Sequence, residues 1–148
     1  MKRTRLEQAQ CPVARSLDVV GDWWSLLIVR DTLRGPRRFG ELQKSLGMAK
    51  NILAARLKEL VARDILIQQP AADGSAFQEY VLTGRGRALL PVIVALRDWG
   101  DEFLFPKGGC LSMVDRKTGQ PVPRLQARSA DGNSLKAGDM MLVKIEGT

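Results

Sequence analysis

The chain has 148 residues, 45% of them hydrophobic and 26% charged, with a formal net charge of +7. That balance suits a packed soluble domain and excludes a disordered chain. There is no histidine, and the only cysteines are Cys11 and Cys110; neither a CxxC redox pair nor a common zinc site can be built from one copy, and no metal or cofactor is expected.

The amino-terminal stretch "MKRTRLEQAQCPV" is charged and lacks the apolar run of a signal peptide, and "ALLPVIVAL" is too short to span a bilayer. A cytoplasmic protein with no membrane partner is expected. Pro12 suits the first turn of a helix through "VARSLDVV", and Gly21 ends it. In "DWWSLLIVRDTL" the apolar residues Trp23, Leu26, Leu27, Val29 and Leu33 recur at helical spacing, with Asp22 as the cap and Gly35-Pro36 as the stop. "RRFGELQKSLG" predicts a short third helix with Phe39, Leu42 and Leu46 facing inward and Gly47 opening a tight turn. A fourth helix starts within a residue or two of Met48.

In that fourth helix Leu53, Leu57, Leu60 and Val61 share one face, Asn51, Ala55, Lys58 and Ala62 lie opposite, and Lys50 and Ala54 flank them. The runs "ILIQQ" and "FQEYVLT" read as a β-hairpin closed through "PAADGSA". Thr83 is placed to cap one long helix, "GRGRALLPVIVALRDWGDEFLF", which Pro91 should kink. From Lys107 onward, glycine, proline and Asp-Gly punctuate short β-prone runs, which predicts a small β appendage. The expected fold is mainly α (α+β): a winged helix-turn-helix with a long dimerisation helix over residues 1–106, and a β-rich extension over 107–148.

Charge is concentrated where such a fold would use it. From Arg34 to Arg63 eight basic residues face two acids, so this window carries +6 of the +7. A helix fits the major groove, its amino-terminal side chains at the base edges and cations on the phosphates. Lys50, Asn51, Ala54, Ala55 and Lys58 are the candidate base-reading residues: an amide can pair with adenine, a lysine can reach guanine, and alanines allow close approach or touch thymine methyls. Arg34, Arg37, Arg38, Lys44 and Arg56 are the candidate phosphate contacts. An ordinary solvated amphipathic helix would show the same charges, but not the same order of elements around it.

The stretches "CPVARSLDVVGDWWSLLIVRDTLRGPRRFGEL" (11 to 42), "NILAARLKELVARDIL" (51 to 66) and "EYVLTGRGRALLPVIVALRDWG" (79 to 100) together resemble the HxlR family of bacterial transcriptional regulators, relatives of the MarR group. The resemblance implies a dimeric winged-helix protein on operator DNA, regulated by a metabolite, aldehyde, oxidant or drug. Two features depart from the family pattern: "QQPAADGSAFQEY" puts no Arg or Lys on the wing, and the tail is longer than the minimal fold. The resemblance also places Cys11 where several members carry a sensing thiol. It would stand at a helix start with Arg15 one turn on and Lys2, Arg3 and Arg5 nearby, surroundings that suit a reactive thiol, although a cysteine at a core edge is commonly just a small hydrophobe. Cys110 has no such setting.

On the long helix Leu89, Val92, Ile93, Leu96, Trp99 and Phe103 form one apolar stripe and Leu90 and Val94 another. One stripe can pack on its own domain, so the other points to a homodimer, with burial inside a monomer as the alternative. Trp23 and Trp24 read as core or interface, or as the wall of an effector pocket. No catalytic set is present: "TGRGR" lacks GxGxxG spacing, GxxxxGK[ST] is missing, and without histidine the usual general base is gone. The reading is therefore a sequence-specific regulator of the repressor type, acting as a homodimer on a pseudo-palindromic DNA operator and open to a small-molecule or redox signal. The rivals are a winged-helix protein interaction module that does not depend on DNA and a ligand-binding protein that works through its tail.

Overall fold

Proline at a helix start costs nothing, since its missing N–H would have no helical acceptor there. Helix α1 (Pro12–Val20) uses Pro12 in this way behind an extended Cys11, and the Gly21 N–H closes it by donating to the Leu17 carbonyl. The computed structural model describes residues 5–109, 111–143 and 145; Cys110, Lys2 and Arg3 lie outside them. Helix α2 (Trp23–Thr32) is capped by Asp22, whose carboxylate accepts from the Ser25 N–H at 2.9 Å and the Ser25 hydroxyl at 2.6 Å.

Arg37 and Arg38, expected inside the third helix, form strand β1 (Arg37–Arg38) instead. Gly35, at φ 128°, and Pro36 send the chain out extended, and an extended dipeptide beside a free sheet edge gains ladder bonds that helical periodicity does not register. Helix α3 (Phe39–Leu46) starts directly after it, with the Arg38 N–H donating to the Glu41 carboxylate at 2.7 Å. Gly47 turns the chain at φ 63°, ψ 26°, the left-handed region where a Cβ costs about 1 kcal/mol or more. Helix α4 (Lys50–Ala62) follows, buries Leu53, Leu57 and Leu60, and leaves Val61 38% exposed. Val61 was expected on the inner face; one residue past Leu60 it lies about 100° round the helix and falls outside the buried stripe.

Strands β2 (Leu66–Pro70) and β3 (Gln78–Leu82) make the expected hairpin, in register from Leu66 opposite Leu82 to Pro70 opposite Gln78. The sheet has the order β1-β3-β2, all antiparallel, with Arg37 opposite Tyr80 and Arg38 opposite Glu79. Beyond it the single long helix expected from residue 84 is two: α5 (Gly84–Arg87) and α6 (Leu90–Leu104). Thr83 caps α5 as expected, accepting from the Gly86 N–H at 2.9 Å. The break falls at residues 88–89, so Pro91 sits in the first turn of α6, where it fits, rather than kinking a helix interior. Gly86 seats α5, since a Cβ there would stand 2.3 Å from the Ile65 carbonyl oxygen.

Ile28 and Val29 of α2, Leu42 of α3, Leu53, Leu57 and Leu60 of α4 and Leu66 of β2 form the fully buried centre. Each such side chain contributes about 1.5–3 kcal/mol by leaving water. By contacts the chain divides after Ile93 into two compact units. In the second, the buried Asp98 accepts from the Leu125 N–H at 3.0 Å, and Arg124 pairs with Glu102 at 2.6 Å. The β-prone runs of the extension make two isolated bridges, Val114 with Pro121 and Arg128 with Ser134, and a 3-10 turn at Ala137–Asp139. Among the described residues no helix is long and apolar enough to cross a membrane.

Candidate nucleic-acid interface

A helix can present a polar face to a groove only if its other face is held. Leu53, Leu57 and Leu60 fasten α4 to the core, and all five candidate base-reading residues, Lys50, Asn51, Ala54, Ala55 and Lys58, are solvent-exposed. Among the described residues none of those side chains is engaged in a hydrogen bond or ion pair. The preceding helices are locked by a buried carboxylate. Asp31 of α2 accepts from the Ser45 hydroxyl of α3 at 2.6 Å and from Arg30 Nε at 2.9 Å, while its carbonyl accepts from Arg37 Nε at 3.3 Å.

The five candidate phosphate contacts do not behave alike. Arg34 and Lys44 are exposed and unengaged. Arg37 is turned to the Asp31 carbonyl. Arg56 is half-buried, with Nε 3.5 Å from the Asp22 carboxylate that caps α2. Arg38 lies against the wing: it hydrogen-bonds Asp73 in the β2–β3 loop, stands 4.0 Å from Glu79 and covers the Phe77 ring at 4.8 Å. The Ser75 hydroxyl, the Ser75 N–H and the Arg38 guanidinium, in that order, hold the Asp73 carboxyl well below the usual carboxylate range, at about 2. Pairing β1 with β3 thus gives the wing a basic residue that its own sequence lacks, already neutralised by two acids.

The dimerisation candidates also divide. Ile93 packs into the core of the first unit, Leu89 lies half-buried against it, and Val94 is 5% exposed. Both Ile93 and Val94 are buried within the single chain. Leu90, Val92, Leu96, Trp99 and Phe103 stay open, and the Trp99 and Phe103 rings meet at 5.4 Å. Trp23 is exposed and stands edge-on to Trp24, which packs on the core. Cys11 is exposed and free. Sequence reasoning missed the arginines around the buried Asp18, which accepts from the Leu6 N–H at 2.9 Å and from Arg63 at 3.4 Å. An acid set between Leu17 and Val19 on a helix was the available signal.

With this geometry in place, the chain matches the model of the HxlR-like helix-turn-helix over residues 19–107. It is 39% identical over 115 residues to MT3179 of Mycobacterium tuberculosis (strain CDC 1551 / Oshkosh), an uncharacterised HTH-type transcriptional regulator, spanning 76% of this chain and 73% of that one. With the HTH-type transcriptional regulator YodB of Bacillus subtilis (strain 168) it shares 34% over 98 residues, 65% of this chain and 88% of YodB. Among solved structures, PA1607, a candidate transcription factor, superposes with a TM-score of 0.88 at 55% identity over 95% of this chain and 99% of its own. The redox regulator HypR in its reduced form gives 0.59 at 28% identity, over 65% and 96%.

Proposed function

The chain belongs to the HxlR-like helix-turn-helix family, and from that premise we propose that it binds a pseudo-palindromic DNA operator as a homodimer and represses the genes beside it. Helix-turn-helix transcriptional regulation is what the relatives share. The observation that carries the finer reading is the outward face of α4, where Lys50, Asn51, Ala54, Ala55 and Lys58 are exposed and unengaged. In a groove Asn51 would pair with a base edge and Lys50 and Lys58 would reach bases or phosphates. Residues 1–106 form the DNA-binding and dimerising part and 107–148 its extension. The partner copy would cover Leu96, Trp99 and Phe103, which stand 52–61% exposed on one stripe of α6.

Selection of bound genomic fragments, with affinity followed against salt, tests this directly. Half-sites about one or two DNA turns apart, roughly 10 to 21 bp, and a steep salt dependence are expected. A solution mass of one chain, or binding to a single asymmetric site, would overturn the dimer. The rival protein interaction module draws support from the wing, whose one basic side chain is held by Asp73 and Glu79; it predicts no salt-dependent duplex binding.

A redox input through Cys11 is supported by its exposure and by the likeness to a redox regulator. Cys11→Ser should then bind the operator and lose its response to oxidant, and an unchanged wild-type affinity after oxidant treatment would reduce Cys11 to a structural role.

A further inference from the structure

A cavity of 340 Å³ in the first unit is lined by Glu7, residues of α1, Arg63 at the end of α4, Ile65 just before β2, Arg85 of α5 and Leu89 just after it. Three arginines face it, Arg15, Arg63 and Arg85, together with Glu7 and Asp18. The buried Asp18 carboxylate accepts from the Leu6 N–H at 2.9 Å and lies 3.4 Å from Arg63 and 4.0 Å from Arg5, while Arg63 also donates to Glu59 at 3.1 Å. Arg15 and Arg85 are exposed and have no hydrogen-bond or ion-pair partner among the described residues. Among the described lining residues three cations stand against two carboxylates, a single net positive charge. Ser16 and the apolar Val19, Val20, Ile65 and Leu89 complete the lining.

We propose that this cavity is a binding site for a small organic carboxylate, its head held by Arg15 and Arg85 and its apolar body laid on Val19, Ile65 and Leu89. A guanidinium fork matches a carboxylate in shape and charge. One net charge balances a monoanion, and a polyanion would be opposed by Glu7 and Asp18. The volume falls at the small end of ligand sites, which run from about 300 to 1,000 Å³. Arg63 is the carboxyl-terminal cap of α4, so a carboxylate drawn to the rim sits one side chain from the helix assigned to DNA. This use of the site as an effector pocket rests on the regulator reading; binding itself does not.

The test therefore contains no DNA. Hexanoate and benzoate are titrated into the full chain by calorimetry, with hexanamide, benzamide and sulfate as controls. Both carboxylates should bind. The amides, which lack the charge, and sulfate, which lacks the apolar body, should bind roughly tenfold more weakly or worse, as the loss of a charge-assisted hydrogen bond implies. Arg15→Gln and Arg85→Gln should each weaken the carboxylates by a similar factor while melting with the wild type. The proposal is overturned if no carboxylate binds up to roughly 10 mM, if the amides or sulfate bind equally well, or if both variants bind as the wild type does. A chain that bound carboxylate but no duplex would leave the site standing and remove the regulator reading instead.

Discussion

Helix α4 and the wing leave the same small core with their charges in opposite states. Lys50, Asn51 and Lys58 on α4 are exposed and unengaged, whereas Arg38, which reaches the wing through β1, is already held by Asp73, Glu79 and the Phe77 ring. The contrast extends along the whole basic window. Of its eight cations, Arg37, Arg38, Arg56 and Arg63 are turned to protein oxygens, while Arg34, Lys44, Lys50 and Lys58 remain available. A charge count along a chain measures cations, and folding decides which of them a phosphate can meet.

The largest effect expected breaks α4 from within. Leu57 is 1% exposed at the centre of the core, and Leu57→Ala should cost about 2–5 kcal/mol by lost transfer energy and the cavity left behind. Chemical denaturation reads it. A cost near that of a surface change, within about 0.5 kcal/mol, would mean that α4 is not anchored by its leucines and that its free face is not held in place.

At the root of the wing, Gly86→Ala should cost about 1–3 kcal/mol, because the new methyl meets the Ile65 carbonyl and the Leu82 side chain at 2.3 and 2.8 Å and the backbone must yield. Thermal melts check this, and the same change should leave base preference on DNA unaltered, since Gly86 abuts Ile65 beyond the carboxyl-terminal end of α4, whereas Lys50 and Asn51 stand at its start. The sequence showed Thr83 as a cap but not this seat. A glycine's conformational freedom can be read from a sequence, whereas its closeness to another segment's carbonyl is a tertiary fact.

That difference runs through the whole reading. The helix start at Pro12, the cap at Asp22, the buried leucines of α4 and the presence of the hairpin follow from local rules, and those elements were legible. Strand β1 and the burial of Ile93 each depend on what lies across the fold: β3 and the core. For the interface, exposure of Lys50, Asn51, Ala54, Ala55 and Lys58 was readable from 3.6-residue spacing. The partners of Arg37, Arg38 and Arg56 were not, because Asp31, Asp73 and Asp22 come from other elements.

On DNA the comparison sharpens at Asn51. Asn51→Ala should cost about 1–3 kcal/mol on the selected operator, relax preference at one position per half-site and leave non-specific binding nearly intact. Quantitative competition against single-base operator variants measures it. Uniform loss across all sequences would make Asn51 a backbone contact.

The smallest and most discriminating effect separates two cations of the same window. Lys44 is exposed and unengaged, so Lys44→Ala should reduce the salt slope by about one unit per protomer if it meets a phosphate. Arg38→Ala should leave the slope unchanged, because Asp73 and Glu79 already neutralise its charge. Its effect should appear at Asp73. In the intact clasp the carboxyl titrates at about 2, held down by Ser75 and Arg38. A depressed carboxylate stabilises the fold above its ordinary value and loses that contribution as pH falls through the folded one, so the clasp should persist from neutrality down to roughly pH 3. Without the guanidinium, Asp73 should titrate closer to the ordinary carboxylate range, which carboxyl-detected NMR can follow directly. An Arg38 variant that lost salt dependence as Lys44→Ala does, with Asp73 unmoved, would show that the clasp opens on DNA and that the wing reaches the backbone after all.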